Sequence, residues 1–232
     1  VIEAAWHFNV RRFLFLGSSC IYPKYANQPI KEEYLLNGIL EKTNEAYAIA
    51  KIAALKMCEY YNKQFDTKFI TLMPTNLYGP GDNYHRENSH VIAAIIRKMH
   101  EAKIGDINEV TLWGSGSPRR EFMHVDDLSK FIVNIMFDNS EIFNEILSYE
   151  TPIVNVGTSQ EFKISELANI ISQVIGFKGS IKYDISMPDG TPRKLLDTSK
   201  LKKFCNFKFV SLEKGLQNTY QDFLKQYNTF EN

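Results

Sequence analysis

Two short apolar runs constrain the fold of this chain more than any other feature. Phe13-Leu14-Phe15-Leu16 stops at Gly17, Phe69-Ile70-Thr71-Leu72-Met73 stops at Pro74, and neither alternates polar with apolar residues. Runs this short, apolar on both faces and closed by turn formers, fit strands buried on both sides, as in a parallel sheet covered by helices. Between them Asn44 to Phe65 reads as a long helix that Asn44 can cap. The alternation continues. A helix is expected from Ser89, a candidate cap, to about Lys103, strands at Val110–Trp113 and Glu121–Val125, and a helix over Asp126–Phe137. A strand at Ile153–Val156 follows, then a helix over Ser165–Ile175 capped by Ser165 and ended by Gly176, and helical segments near Thr198–Phe204 and Leu212–Tyr227. Residues 76–88, rich in Gly, Pro, Asn and Asp, are expected to be loop.

Charge and cysteine content narrow the class. The 27 basic and 27 acidic residues cancel, so there is no global field for nucleic acid and any bound anion must be held by local groups. Three cysteines make no disulfide framework and fit a reducing, cytoplasmic setting. No apolar run reaches the roughly 18 residues that span a bilayer. The histidines show no ligand spacing with the cysteines, so no metal site is expected. None of the twelve glycines builds G-x-G-x-x-G or a P-loop: Gly79/Gly81 and Gly114/Gly116 have Tyr84 and Arg119 where a third glycine would stand. Val1 to Val10 reads as the interior of an amphipathic helix with no cap before it.

Four constellations could carry chemistry. Ser18-Ser19-Cys20 directly follows a buried strand, and ligands of open α/β sheets gather beyond the carboxyl ends of strands; the plainer reading is a turn with a buried thiol. Tyr47 and Lys51 share a helix face at i, i+4, which sets an ammonium near a phenol. Bringing a tyrosine from about 10 to neutrality takes roughly 4 kcal/mol, and a neighbouring cation acts in that direction. About one Tyr-x-x-x-Lys is expected by chance in such a chain, so the spacing gains weight only beside the serine that ends the preceding strand. Pro74 to His90 is a long turn-rich segment that sets His90 at a helix start, where a neutral imidazole is favoured; a solvated first-turn histidine is the plainer alternative. Lys98, Trp113, Arg119, Arg120 and Lys194, with the Asp189–Lys194 loop, could hold a diphosphate, a base and ribose hydroxyls, or form ordinary surface pairs.

Together these segments (Leu16-Gly17-Ser18-Ser19-Cys20-Ile21-Tyr22-Pro23-Lys24, Tyr47 to Lys51, Met73 to Gly81, Asn88-Ser89-His90-Val91-Ile92, Trp113 to Gly116, Arg120 to Asp127, Pro188 to Asp197) resemble the GDP-L-fucose synthase family. That family lies within the extended short-chain dehydrogenase/reductases, the NAD-dependent epimerase/dehydratase group. The likeness runs the length of the chain. It implies a Rossmann-like doubly wound parallel sheet, whose Gly-rich N-terminal half would lie before Val1, and a smaller C-terminal α/β substrate domain. By this reading 1–78 and 120–157 belong to the NADP side and 79–119 and 158–232 to the GDP-sugar side.

The resemblance also implies the chemistry: 3,5-epimerisation and NADPH-dependent 4-reduction of GDP-4-keto-6-deoxy-D-mannose. Cys20 would be the base that removes the C3 and C5 protons and His90 the acid that returns them. Tyr47 would donate the proton in reduction, assisted by Lys51, with Ser18 on the keto oxygen. Leu16, Gly17, Ser18, Ser19, Tyr47, Lys51, Pro74, Thr75, Asn76, Leu77 and His90 would contact NADP, and Lys98, Trp113, Arg120 and Asp189 the GDP-sugar. A homodimer through the Val1 segment and the Asn44–Phe65 helix is implied as well. A 4-epimerase or 4,6-dehydratase of the same superfamily remains open, though Ser19-Cys20 stands where a dehydratase carries an acid pair. So does a catalytically silent fragment acting as a binding or dimerisation module.

Overall fold

The computed structural model describes residues 1–138, 140–204 and 208–230; Cys205 lies outside them. In chain order the elements are α1 (Ile2–His7), β1 (Phe13–Leu16), α2 (Glu45–Phe65), β2 (Phe69–Pro74), β3 (Asn76–Tyr78), α3 (Val91–Ile104), β4 (Glu109–Trp113), β5 (Arg119–His124) and α4 (Val125–Val133). They continue with α5 (Ser140–Leu147), β6 (Ile153–Val156), β7 (Glu161–Lys163), α6 (Ile164–Ile175), β8 (Ser180–Asp184), β9 (Arg193–Lys194), α7 (Ser199–Phe204) and α8 (Leu212–Phe230).

Strands β1, β2 and β6 form an all-parallel sheet in that order, with Leu16 opposite Leu72 and Leu72 opposite Val154. Every residue of β2 and β6 is buried, as expected of central strands covered on both faces. Helices α4 and α5 and the turn between them lay Phe131, Ile135, Phe143 and Ile146 against Ile70, Leu72 and Val154 on one side. Helix α2 and the segment after β1 pack Ile21, Tyr22, Ala48 and Leu55 against Met73 and Ile153 on the other. A separate core gathers Ile92, Ile96 and Met99 of α3, Leu112 of β4, Leu167 and Ile171 of α6 and Phe223 of α8.

Several local expectations are corrected. Residues 76–78 are not loop: they form β3, drawn into parallel pairing with Phe122–His124 of β5. The cap of α3 is His90, not Ser89. Helix α4 ends at Val133, and Asn134–Asp138 widen into a π turn before α5, for which no expectation exists. Lys163, not Ser165, caps α6, because the Glu166 carboxylate accepts the Lys163 N–H at 2.8 Å. Asn44 precedes α2 but makes no side-chain cap bond.

Glu121 joins the two regions. Fully buried in β5, it accepts N–H bonds from Ser159 at 2.6 Å and Leu196 at 3.1 Å through its carboxylate. Its backbone carbonyl takes Thr75 Oγ1 at 3.0 Å and Asn76 Nδ2 at 2.9 Å. Gly157 leaves it room: a Cβ there would collide with the carboxylate. Burial pushes the Glu121 carboxyl above its usual range while these donors pull it back. Glu121→Ala strands two N–H groups, one of them buried, and is expected to cost about 3 kcal/mol. The check is a lower urea midpoint at unchanged m value.

Candidate active site

The site forms where β1 and β2 end side by side. Gly17 donates its N–H to Leu72 O at 2.8 Å, and a Cβ on it would run into Met73 Sδ and the Leu72 carbonyl. A larger residue would push the strand ends apart. The chain then tightens into a single 3₁₀ turn, Ser19–Ile21. Ser18 Oγ accepts the Cys20 N–H at 3.1 Å, Asn44 Nδ2 donates to Cys20 O at 3.4 Å, and Tyr22 Oη donates to Asn155 Oδ1 at 2.6 Å. Asn44 thus holds the cysteine turn.

The Cys20 sulfur accepts from Lys194 Nζ at 3.0 Å. Burial pushes this thiol up, but the Lys194 ammonium, the hydrogen bond from Lys194, that with Ser18 and the nearby Arg120 charge together outweigh it, and the thiol lies below its ordinary value. Cys58, buried against α1 without such partners, is pushed up to about 12.

Helix α2 brings Tyr47 and Lys51 to the same strand ends. Lys51 Nζ donates to Leu16 O at 2.8 Å and lies 5.0 Å from the Phe15 ring centroid and 5.8 Å from that of Tyr47. No hydrogen bond joins Ser18, Tyr47 and Lys51 directly among the described residues. Tyr47 is half exposed and faces a cleft of about 550 Å³ walled by Leu16–Ser18 and Cys20 on one side, Pro74–Leu77 on another, with Asp82 of the segment after β3 and His90 at the start of α3. Ser19 lies outside it, lining an adjoining cavity of about 150 Å³ with Glu41 and Lys194. Its buried Oγ has no hydrogen-bond partner among the described residues.

A second recess of about 210 Å³ opens from the same cleft, sharing Asn76 and Val91 with it, and holds Trp113, Arg120, Pro188 and Asp189. Lys98 stands beside it, 5.4 Å from the Trp113 ring centroid, and donates to Thr111 O at 3.3 Å. Both Asp189 carboxylate oxygens are taken by Ser115, from its N–H at 2.7 Å and its Oγ at 2.8 Å. Asp189 therefore ties its loop to the Gly114–Gly116 turn.

Two residues escaped the sequence reading. Asp82 has no motif to mark it, yet it lines the cleft and its Oδ2 is buried without a hydrogen-bond partner among the described residues. Burial raises its carboxyl, with the His90 charge opposing. Lys194 was grouped with the diphosphate cations, and its true neighbour is 174 residues away, beyond the reach of any spacing argument.

The family model for the NAD dependent epimerase/dehydratase family matches residues 1–157. The chain belongs to that family. It is 50% identical over 230 residues to a GDP-L-fucose synthase of Escherichia coli, covering 99% of this chain and 72% of that protein. GDP-L-fucose synthase 1 of Arabidopsis thaliana is 50% identical over 225 residues, 97% of this chain and 67% of its own length. A crystal structure of a GDP-L-fucose synthetase from Naegleria fowleri bound to NADP superposes with a TM-score of 0.87 at 26% identity, covering 98% of this chain and 70% of that one.

The cleft's donors fit the nicotinamide riboside end of NADP. The Lys51 ammonium and Tyr47 hydroxyl suit ribose oxygens, and Leu77, Ile92 and Phe122 offer apolar contact to a flat ring. The loop clasp allows a test without ligand. Asp189→Ala removes both acceptors of Ser115 and is expected to raise amide hydrogen exchange at Ser115 about tenfold or more, with α6 amides unchanged.

Proposed function

We propose that this chain converts GDP-4-keto-6-deoxy-D-mannose to GDP-L-fucose by 3,5-epimerisation followed by reduction at C4. The observation that carries this reading is Cys20, a thiol held below its ordinary value at the edge of a cleft that also receives Tyr47 and His90. A simple 4-reductase has no use for such a base. The names of the relatives support the same reaction.

The substrate ketone at C4 acidifies the protons on C3 and C5. Cys20 Sγ removes such a proton, and the negative charge moves onto the C4 oxygen as an enediolate. His90 returns a proton to the opposite face and is recharged from solvent, to which it is exposed. Bound NADPH supplies the hydride for C4. The Tyr47 hydroxyl gives its proton to the C4 oxygen, and the Lys51 ammonium, anchored on Leu16 O, stabilises the phenolate left behind. Ser18 keeps its proton and donates a hydrogen bond to the same oxygen. Leu16 to Ser18, Pro74 to Leu77 and His90 are assigned to the cofactor, Ser19 lying outside the cleft, and Lys98, Trp113, Arg120 and Asp189 to the GDP-sugar. Segments 1–78 and 120–157 would form the cofactor side, with 79–119 and 158–232 on the sugar side. The separate cores support that division in part: Tyr78 and Phe122 pack in the sugar-side core, and Leu196 and Leu201 in the cofactor-side ones.

Two variants separate the steps. Cys20→Ser is expected to abolish deuterium uptake from solvent at C3 and C5 by about 10²-fold or more, whereas Tyr47→Phe keeps uptake and loses reduction to a similar extent. Equal loss of both steps in both variants overturns the roles.

The reading includes a homodimer, and α2 supports it. Ala46, Ile49, Ala50, Ala53, Met57 and Tyr60 are all exposed and follow one face at spacings of three and four, the seam of a helix that packs against another helix. Ile49→Asp is expected to convert a dimer to a monomer in sedimentation equilibrium; a monomer before substitution refutes the dimer. A cytoplasmic setting is part of the proposal, supported by the unpaired thiols of Cys20 and Cys58.

A further inference from the structure

Lys194 has no part in the reaction as written above, yet it is among the most buried charged side chains of the described residues, at 9% exposure. Strand β9 pairs with β5, Lys194 beside Arg120, and so carries the lysine inward. There its Nζ finds the sulfur of Cys20 at 3.0 Å. A nearly buried ammonium needs an acceptor, and a neutral thiol is a poor one. We propose that Lys194 is a positioning residue for Cys20: its ammonium group holds the sulfur as a thiolate at the edge of the cleft, ready to take the substrate's proton. This rests on the proposed role of Cys20 as base.

The other groups around the sulfur leave this task to Lys194. Arg120, on β5, adds positive charge but spends its hydrogen bonds on Arg119 O at 3.0 Å and Asp189 O at 3.4 Å. Glu41 lines the same cavity as Lys194, where a carboxylate would oppose a thiolate, but Lys24 pairs with it at 2.7 Å. Tyr22 donates a hydrogen bond to Asn155 Oδ1, and burial holds its phenol protonated. Tyr47 from α2, Asp82 of the segment after β3 and His90 at the start of α3 line the cleft with Cys20. Ser18 and Asn44 bond the cysteine backbone.

The proton account closes. The thiol proton leaves to water before substrate binds, and Lys194 keeps its three protons throughout. The thiolate then takes one proton from carbon and returns it to solvent before the second inversion. Lys194 fixes the charge and direction of the sulfur and exchanges nothing with the substrate.

Iodoacetamide reads this without substrate or cofactor. The thiolate forms an S–C bond as iodide leaves, and the mass of the Cys20 peptide reports the extent. For the purified chain, the rate titrated over about pH 5 to 10 is expected to show a midpoint below the free-thiol value of ~8.5. Lys194→Met is expected to raise that midpoint by about one pH unit or more, an approximately tenfold loss of thiolate at neutral pH, and Lys194→Arg to restore most of it. An unchanged midpoint in Lys194→Met, or an equal rise in both variants, overturns the proposal. Continued protection of Cys58 shows that a variant is folded; if Lys194→Met exposes it, Lys194→Gln is titrated in its place. Deuterium uptake at C3 and C5 separates this proposal from the reaction it rests on. In Lys194→Met it should fall at neutral pH and recover as pH rises through the new midpoint. If the midpoint moves while uptake does not, the ion pair stands and Cys20 is not the base.

Discussion

The chemistry of this chain depends on the parallel pairing of β1 with β2. Their register, Phe13 opposite Phe69 through Leu16 opposite Leu72, makes both strands stop at the same level. The two exits, Gly17–Cys20 and Pro74–Leu77, therefore become neighbouring walls of one cleft. A slip of one residue would turn every side chain to the opposite face and set a different residue against Met73, where only glycine fits. The same ending leaves the Leu16 carbonyl available to Lys51, so helix α2 is keyed to the strand end by a charged hydrogen bond of 2.8 Å. Tyr47, one turn earlier on α2, is placed by that contact.

A chain of zero net charge still concentrates cations here, and their partners sort them. Lys51 and Lys194 hold acceptors at 2.8 and 3.0 Å, distances of firm hydrogen bonds. Lys98 reaches Thr111 O at 3.3 Å and Arg120 reaches Asp189 O at 3.4 Å, near the outer limit, although Arg120 also holds Arg119 O at 3.0 Å. The first pair belongs to the internal machinery of the site. The second pair, beside Trp113, makes weak contacts that phosphate oxygens would replace with stronger, charge-assisted ones. These weak contacts agree with the roles proposed for Lys98 and Arg120.

Much of this was legible in the sequence because the signals are local. The runs at Phe13 and Phe69, the Tyr47/Lys51 spacing and Ser18-Ser19-Cys20 after a strand each follow from chain geometry over a few residues. What stayed hidden depends on distant contacts. Strand β3 exists because β5 passes beside it, and no propensity in Asn76-Leu77-Tyr78 announces that. Asn44 looked like a cap, since caps are what asparagine before a helix usually supplies; the nearby Cys20 carbonyl claimed its amide instead. The partnership of Lys194 with Cys20 needs β9 laid along β5. Helix α5 is a different case, for Ile142, Phe143 and Ile146, its buried residues, do show helical spacing in the sequence.

Two chemical steps in one cleft place a common demand on the C4 oxygen of the substrate. On the proposed reaction it gains negative charge when a proton leaves C3 or C5, and again when hydride reaches C4. A donor fixed at that oxygen serves both transition states. Ser18 is built for this: its hydroxyl spends an acceptor lone pair on the Cys20 N–H, which leaves its own proton to donate. The bond that orients the serine therefore also fixes the backbone of the base. Base and oxyanion donor sit on one rigid 3₁₀ turn, two residues apart, braced by Asn44 and by the Tyr22–Asn155 bond. The acid His90 and the phenol Tyr47 come from two different helices across the cleft. Proton removal thus has one fixed reference point, and proton delivery can come from another face, which inversion at carbon requires.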